Sequence, residues 1–333
     1  MKTVTKKIAD LFGIDTPATI EVRERDPDCK LLYIEPDKHY VFQPVLLKKV
    51  LMFLGGQSPS KNLLLFGPTG AGKSSVILEV CSRLNIPVAQ MACSGKTRFD
   101  HMTGSRDLVN GNTVFTDGPL LAAMRYEHGA VCLLDEASRL HPDEQMAMAP
   151  VLDRARTLTV KENSEVVTAR PGFRLVCTGN SNGTGDETGM YADEKISSAA
   201  WTDRFLKIAV GYLPKESEIL VLSRVSEEEN ASTAKVAAAL RPIIPVMVDF
   251  ANQLRSSGNA GPQLRTAIST RNLVNWLRLT VAYGRMNIRE NIVEALRDTI
   301  TNGAPADEAE SIEKVWVKLM DAPEVLATSV KAA

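Results

Sequence analysis

Apolar residues in this chain fall into two regimes. Between Val41 and about Tyr212, near-continuous apolar runs at Leu63–Phe66, Ile86–Met91, Val131–Leu134 and Phe173–Thr178 are short enough to be strands. They lack the polar alternation of a strand with one wet face, so they suit strands covered on both sides. Helical spacing lies between them, with Val76, Ile77, Val80 and Leu84 falling on one face. Strand and helix in alternation predict a parallel sheet sandwiched by helices. The stretch TLTVKENSEVVTARPG (157–172) breaks this rhythm and predicts a hairpin turning at Glu162–Ser164. Pro150 falls within the helical pattern after the third run and should kink or end it.

Beyond Tyr212 the pattern is helical only: 215–254, 269–284, 287–302 and 308–320, separated by SSGNAGPQ, YGRMN and NGAPAD. The expected organisation is an N-terminal extension (1–40), an α/β domain (41–212) and a C-terminal helical domain (213–333).

Composition narrows the class without deciding it. The 333 residues are 44% hydrophobic and 24% charged, with a net charge of -1, enough for a buried core and no global field toward nucleic acid or anionic lipid. Five scattered cysteines without a CxxC pair argue against a disulfide framework or zinc site and for a reducing compartment. The start, MKTVTKKIADLFGI, has no secretory pattern. No apolar run approaches the ~18 residues of a membrane span. A soluble, cytoplasmic protein with no membrane partner is expected.

The chemistry begins at NLLLFGPTGAGKSS (62–75), where a strand runs into glycines and then a helix. Gly67, Pro68, Thr69, Gly70, Ala71, Gly72, Lys73 and Ser74 fit GxxxxGK[ST] in the strand–loop–helix context that the motif requires. Backbone amides there form an anion nest at a helix N-terminus, and side chains would obstruct the approach. A nucleoside triphosphate is the expected guest. Lys73 would reach its β- and γ-phosphates, Ser74 would ligate Mg²⁺, and Ser75 continues the binding turn.

The run VCLL ends on Asp135 and Glu136, at the sheet edge where ligands bind in such folds. Asp135 suits Mg²⁺ and Glu136 suits activation of water, although an Asp-Glu pair alone would also suit the start of a helix. The next run, FRLVCTGN, ends on Asn180, either a polar amide beside the phosphates or a turn residue, with Asn182 nearby.

In this order the segments resemble AAA+ ATPases of the MoxR group, and more closely the ATPase subunit of cobaltochelatase, the CobS type. Gly118-Pro119-Leu120 before the acidic strand and the hairpin before FRLVCTGN resemble the group. Asn180, Gly183, Gly185, Asp186, Gly189 and Tyr191 resemble the narrower pattern, as do Tyr40-Val41-Phe42, Asp203-Arg204 and Ser269-x-Arg271 with Trp276. The likeness covers roughly residues 33–285. It departs in the loop centre, Pro68-Thr69-Gly70-Ala71, where the family has a His-Gly-Thr-like sequence, and in CSGKTRFDHMTGSRDL.

The resemblance implies an AAA+ P-loop NTPase with a C-terminal helical lid, using ATP and Mg²⁺. It implies that Arg204 is an arginine finger acting on a neighbouring subunit and Arg271 a sensor arginine of the lid. It also implies a homo-oligomeric ring, most simply a hexamer, that remodels a partner protein carrying a von Willebrand A domain. A cobalt chelatase subunit is the narrower alternative, and a nucleic-acid motor the one that the neutral charge disfavours.

Other features carry less. His39, His101, His128 and His141 have no metal-ligand spacing. Lys96, Arg98 and Arg106 could line a pore or a solvated loop. Tyr40 and Phe42 could cover an adenine or pack in the core, and Met146 and Met148 are expected in the core.

Overall fold

A computed structural model of the chain describes residues 1–109, 112–161, 164–185, 194–227, 234–257, 266, 268–284 and 287–321. It divides into two compact units, one of Met1–Lys38, Phe42–Pro68 and Gly72–Gly211, the other of His39–Val41, Thr69–Ala71 and Tyr212–Ala333.

The first unit opens with folded structure where the sequence predicts only an extension. Strands β1 (Thr3–Lys7) and β2 (Thr19–Arg23) pair antiparallel, with helix α1 (Ile8–Phe12) between them in the chain. Phe12 and Val22 are buried. These short elements sit in charged sequence, α1 and β2 burying one side chain each and β1 none, so they carry little apolar signal. Helix α2 (Pro44–Leu54) starts with proline at its first turn, where the missing N–H costs nothing, and buries Leu47, Val50 and Phe53. Strand β3 (Asn62–Phe66) leads through the glycine loop into α3 (Lys73–Leu84). Val76, Ile77, Val80 and Leu84 are all buried, the face read from their spacing. Asn85, left-handed at φ 50°, ends that helix.

After β4 (Val88–Ala92) come α4 (Phe99–Thr103) and an antiparallel pair, β5 (Gly104–Val109) and β6 (Asn112–Asp117). This is the stretch where the family likeness is loose. Helix α5 (Pro119–Arg125) precedes β7 (Val131–Asp135). Two short helices follow, α6 (Pro142–Ala147) and α7 (Ala149–Leu152), separated just before Pro150. Met148 between them is buried, but Met146 is exposed, not in the core. Strands β8 (Thr157–Val160) and β9 (Glu165–Thr168) pair as the predicted hairpin, although Glu162 and Asn163 of its turn lie outside the described residues. Strand β10 (Arg174–Gly179), helix α8 (Ala199–Thr202) and strand β11 (Leu206–Ala209) complete the unit.

The main sheet has the order β11-β3-β10-β7-β4, parallel at every pairing. Its central strand β10 is buried at every position. The edge strand β11 is not evident in the sequence, because LKIA is only four residues long and alternates. Since the strands run the same way, the ends of β3, β7 and β10 share one edge, and the segments that follow them converge there.

The second unit is helical: α9 (Lys215–Glu227), α10 (Ala234–Leu240), α11 (Ile244–Ser257), α12 (Thr270–Ala282), α13 (Ile288–Thr299) and α14 (Ala306–Met320). Phe250, Trp276 and Trp316 stack edge-on at its centre, with ring centroids 4.6–5.6 Å apart. The Trp276 Nε1 proton is satisfied by the Ile292 carbonyl at 2.8 Å, as a buried indole requires. Arg255 makes a two-pronged pair with fully buried Glu218 at 2.9 and 3.0 Å, so neither charge is left alone in the interior. Ser269 and Asn272 cap α12 reciprocally.

Candidate functional site

The loop after β3 is shaped by backbone that only glycine supplies. Gly67 has φ 145°, and a Cβ placed on it would lie 2.0 Å from the Val210 carbonyl oxygen. Gly72, at φ 86°, is the N-cap of α3 and offers no side chain to the helix end. The first-turn amides of α3, on Lys73, Ser74 and Ser75, stand at the helix N-terminus that the loop leads into. With the helix dipole they form a seat for an anion. Lys73 Nζ is held at the loop by the Gly67 carbonyl (2.7 Å), the Pro68 carbonyl (3.0 Å) and Asn180 Oδ1 (3.0 Å). Phosphate oxygens are acceptors of the same kind, and this donor set fits them.

The end of β7 faces this loop. Ser74 Oγ donates to Asp135 Oδ1 at 2.6 Å, so a hydroxyl and a carboxylate already converge. Hard oxygen donors of this type, supplemented by water and phosphate, are what Mg²⁺ takes, and the pair fits that ion. Glu136 is left-handed at φ 56°. This turns its side chain out of the strand's alternation, and its Oε2 pairs with Arg139 at 2.9 Å.

The residue that organises both acids is one that sequence reading does not single out. Thr178, on β10 and wholly buried, donates from Oγ1 to Asp135 Oδ1 at 2.5 Å and accepts the Glu136 amide at 2.9 Å. The next two residues continue the brace. The Gly179 carbonyl accepts the Gly67 amide at 3.3 Å, and Asn180 reaches Lys73. Three consecutive residues at the end of β10 therefore tie the phosphate loop to the acidic turn. A lone hydroxyl in the apolar run FRLVCTGN is the only sequence signal of this arrangement.

Cys93 lies just beyond β4, its amide bound to the Asp135 carbonyl at 2.8 Å. Burial, and then the nearby Asp135 and Glu136 charges, push its thiol up to about 12, so it remains a neutral, unreactive thiol.

Of the predicted site residues, Gly67, Pro68, Lys73, Ser74, Asp135 and Asn180 are brought together by these bonds, and Glu136 adjoins them through Thr178. Arg204 is not among them. It precedes β11, which pairs in register with β3 from Leu206↔Leu63 to Ala209↔Phe66, and the Arg204 carbonyl accepts from Asn62 Nδ2 at 3.1 Å. It thus lies at the opposite edge of the sheet from the loop, about five residues or roughly 16 Å away along β3. Its Nε is held by Asp153 at 2.7 Å and its Nη1 by the Ala200 carbonyl; the Asp153 hydrogen bond holds its pKa above the usual arginine value. Arg271 is exposed in the first turn of α12. Asp186, Gly189 and Tyr191 lie outside the described residues. Phe42 packs in the core, edge-on to Phe12 at 5.1 Å and beneath the Arg83 guanidinium at 4.8 Å, which leaves no face for an adenine.

Comparison with known proteins gives two successive family matches, an AAA domain of the dynein-related subfamily over residues 62–205 and a CbbQ/NirQ/NorQ C-terminal domain over residues 229–318. Residues 62–205 and 229–318 thus carry the two domains of AAA+ proteins of the CbbQ/NorQ/CobS type. Among its relatives is the aerobic cobaltochelatase subunit CobS of Sinorhizobium sp, 28% identical over 303 residues, covering 90% of this chain and 85% of that one. Another is protein NorQ of Paracoccus denitrificans, 28% identical over 256 residues, or 77% of this chain and 86% of that one. The denitrification regulatory protein NirQ of Stutzerimonas stutzeri is 28% identical over 174 residues, or 52% and 60% of the two chains. This AAA+ chain has its phosphate loop and acidic strand inside the first match and its tryptophan-rich helical core inside the second. Among the described residues no helix is long and apolar enough to cross a membrane.

Proposed function

We propose that this AAA+ protein hydrolyses ATP and uses the cycle to remodel a partner protein. The observation that carries the reading is the convergence on the end of β10, where Thr178, Gly179 and Asn180 bind Asp135, the Glu136 amide, the Gly67 amide and Lys73. Residues 67–75 would cradle the phosphates, with Lys73 balancing charge on the β- and γ-groups. Ser74 and Asp135 would hold Mg²⁺, which offsets charge on the phosphate oxygens. Glu136, released from Arg139, takes a proton from a water as its oxygen bonds to the γ-phosphorus and the bond to the β-phosphate oxygen breaks, leaving ADP and phosphate. The Asn180 amide orients that water.

The proposal extends to the assembly. An arginine held at the far edge of the sheet suits action on a neighbour, so Arg204 is assigned as the finger of a head-to-tail ring, by family likeness a hexamer. Arg271 is assigned to sensing nucleotide from the lid. The likeness to the MoxR group supports a partner with a von Willebrand A domain, and the names of the relatives place two of them in metal chelation and denitrification. A cobalt chelatase complex is the narrower reading, favoured by the match to CobS along nearly its whole length.

Phosphate release by the purified protein with Mg-ATP tests the core of this reading. Glu136→Gln should lower turnover at least a hundredfold while ATP binding is retained; undiminished turnover in that variant would refute the role of Glu136. The same variant, trapped with ATP, should then capture the partner, and a von Willebrand A protein among the captured chains separates that assignment from others.

A further inference from the structure

Glu194 belongs to none of the motifs above, yet it touches both halves of the site. Its Oε1 accepts the backbone amide of Asn180 at 2.6 Å and the Ser138 hydroxyl at 2.8 Å. Asn180 is the residue whose side chain meets Lys73. Ser138 lies two residues after Glu136, in the same turn. The backbone follows the same route, since the Lys195 amide donates to the Ser138 carbonyl at 3.0 Å. Glu194 is 8% exposed, and its second oxygen, Oε2, has no hydrogen-bond partner among the described residues. A buried carboxylate with a free oxygen is costly unless the contacts it does make are worth keeping.

We infer that Glu194 is a positioning residue for ATP hydrolysis, bracing the Asn180 amide against the Ser138 turn so that Asn180 and Glu136 hold a fixed separation. This rests on the ATPase reading above. Thr178 spans the same two strand ends from within the sheet, through Asp135 and the Glu136 amide. Glu194 joins the segments just beyond them, through the Asn180 amide and the Ser138 hydroxyl. Without it the Asn180 amide loses its Glu194 acceptor, and the strand end that carries the Asn180 side chain to Lys73 is held less firmly. An error of about 1 Å in such a group costs up to a hundredfold in rate without affecting how tightly substrate binds.

The test compares the full-length wild type with Glu194→Leu, Glu194→Gln and Glu194→Asp, reading kcat and KM for Mg-ATP and the hydrogen-exchange rate of the Asn180 amide without nucleotide. The Leu variant removes the acceptor, Gln keeps it, and Asp keeps the charge but withdraws it by one methylene. We expect Glu194→Leu to lower kcat tenfold to a hundredfold with KM within about threefold of wild type, and to speed Asn180 exchange. Gln should restore both, and Asp should be intermediate. Wild-type kcat and Asn180 protection in Glu194→Leu would overturn the inference, as would a Gln variant as impaired as Leu. If Leu does not fold, an Asp variant indistinguishable from wild type in both readouts overturns it equally. Should the wild type itself release no phosphate, the ATPase reading fails on its own, and Asn180 exchange still decides whether Glu194 holds this strand end.

Discussion

The hydroxyl of Thr178 has one proton to donate and lone pairs to accept with, and it uses both functions on adjacent acids. Asp135 receives the proton, and the Glu136 amide supplies one in return. Serving both through one atom fixes the Asp135 carboxylate and the left-handed turn at Glu136 together. Thr178→Val keeps the shape and removes the hydroxyl, leaving a half-buried amide without this acceptor. It should destabilise the first unit by about 1–3 kcal/mol, measurable by urea denaturation. It should also lower kcat more than it raises the KM for ATP; a raised KM with kcat unchanged would mean that the hydroxyl serves nucleotide binding alone. The buried cysteines show the opposite case. Cys81 and Cys93 are pushed up to about 12, chiefly by burial, so they serve the core as small apolar groups.

At the scale of elements, α3 serves two purposes. Its N-terminus is the anion seat, while its C-terminal half anchors the N-terminal segment. Arg83 donates from Nε to the Leu11 carbonyl at 2.8 Å and from Nη2 to the Asp37 carbonyl at 2.8 Å, and lies over Phe42. Glu79, nearly buried, pairs with Arg83 one turn on and accepts the Asp37 amide. Asn85 then takes hold of β2 through the Arg23 carbonyl at 2.7 Å. These bonds hold residues 1–38 to the nucleotide helix. Arg83→Ala removes the shared donor, and residues 13–40 should then be cleaved several-fold faster in limited proteolysis while the sheet remains protected. Unchanged cleavage would place the anchor elsewhere, in Asn85 or in the bridge between Leu32 and Val88.

At the scale of the whole molecule, the sheet separates two groups that one reaction needs. Parallel pairing of β3 and β11 leaves Arg204 at the start of the strands and Lys73 beyond their end, a gap that no arginine side chain spans. If Arg204 is the finger, catalysis is shared between copies. Arg204→Ala should lower turnover at least a hundredfold. Mixing it with Glu136→Gln should restore part of the activity, because some interfaces then combine an intact base with an intact finger. A mixture as inactive as its parents would place Arg204 outside catalysis.

Local patterns determined much of this protein from its sequence. Strand, glycine loop and helix are contiguous, so GxxxxGK[ST] declares its own geometry, and the apolar runs ending on Asp135-Glu136 and on Asn180 announce strand ends at a ligand edge. The tandem regimes of apolar spacing separated a sheet from a helical region for the same reason. Tertiary structure alone decided which of these ends touch. The bonds joining Ser74 to Asp135 and Lys73 to Asn180 cross 61 and 107 residues, and those from Glu194 cross 14 and 56. Hydrogen bonds at such separations have no period and no spacing rule, so Thr178 reads as one more strand residue and Glu194 as a loop acid. The charged N-terminal segment and the four-residue β11 were hidden for a related reason: their stability comes from the surfaces they meet, which the sequence does not display until the chain has folded.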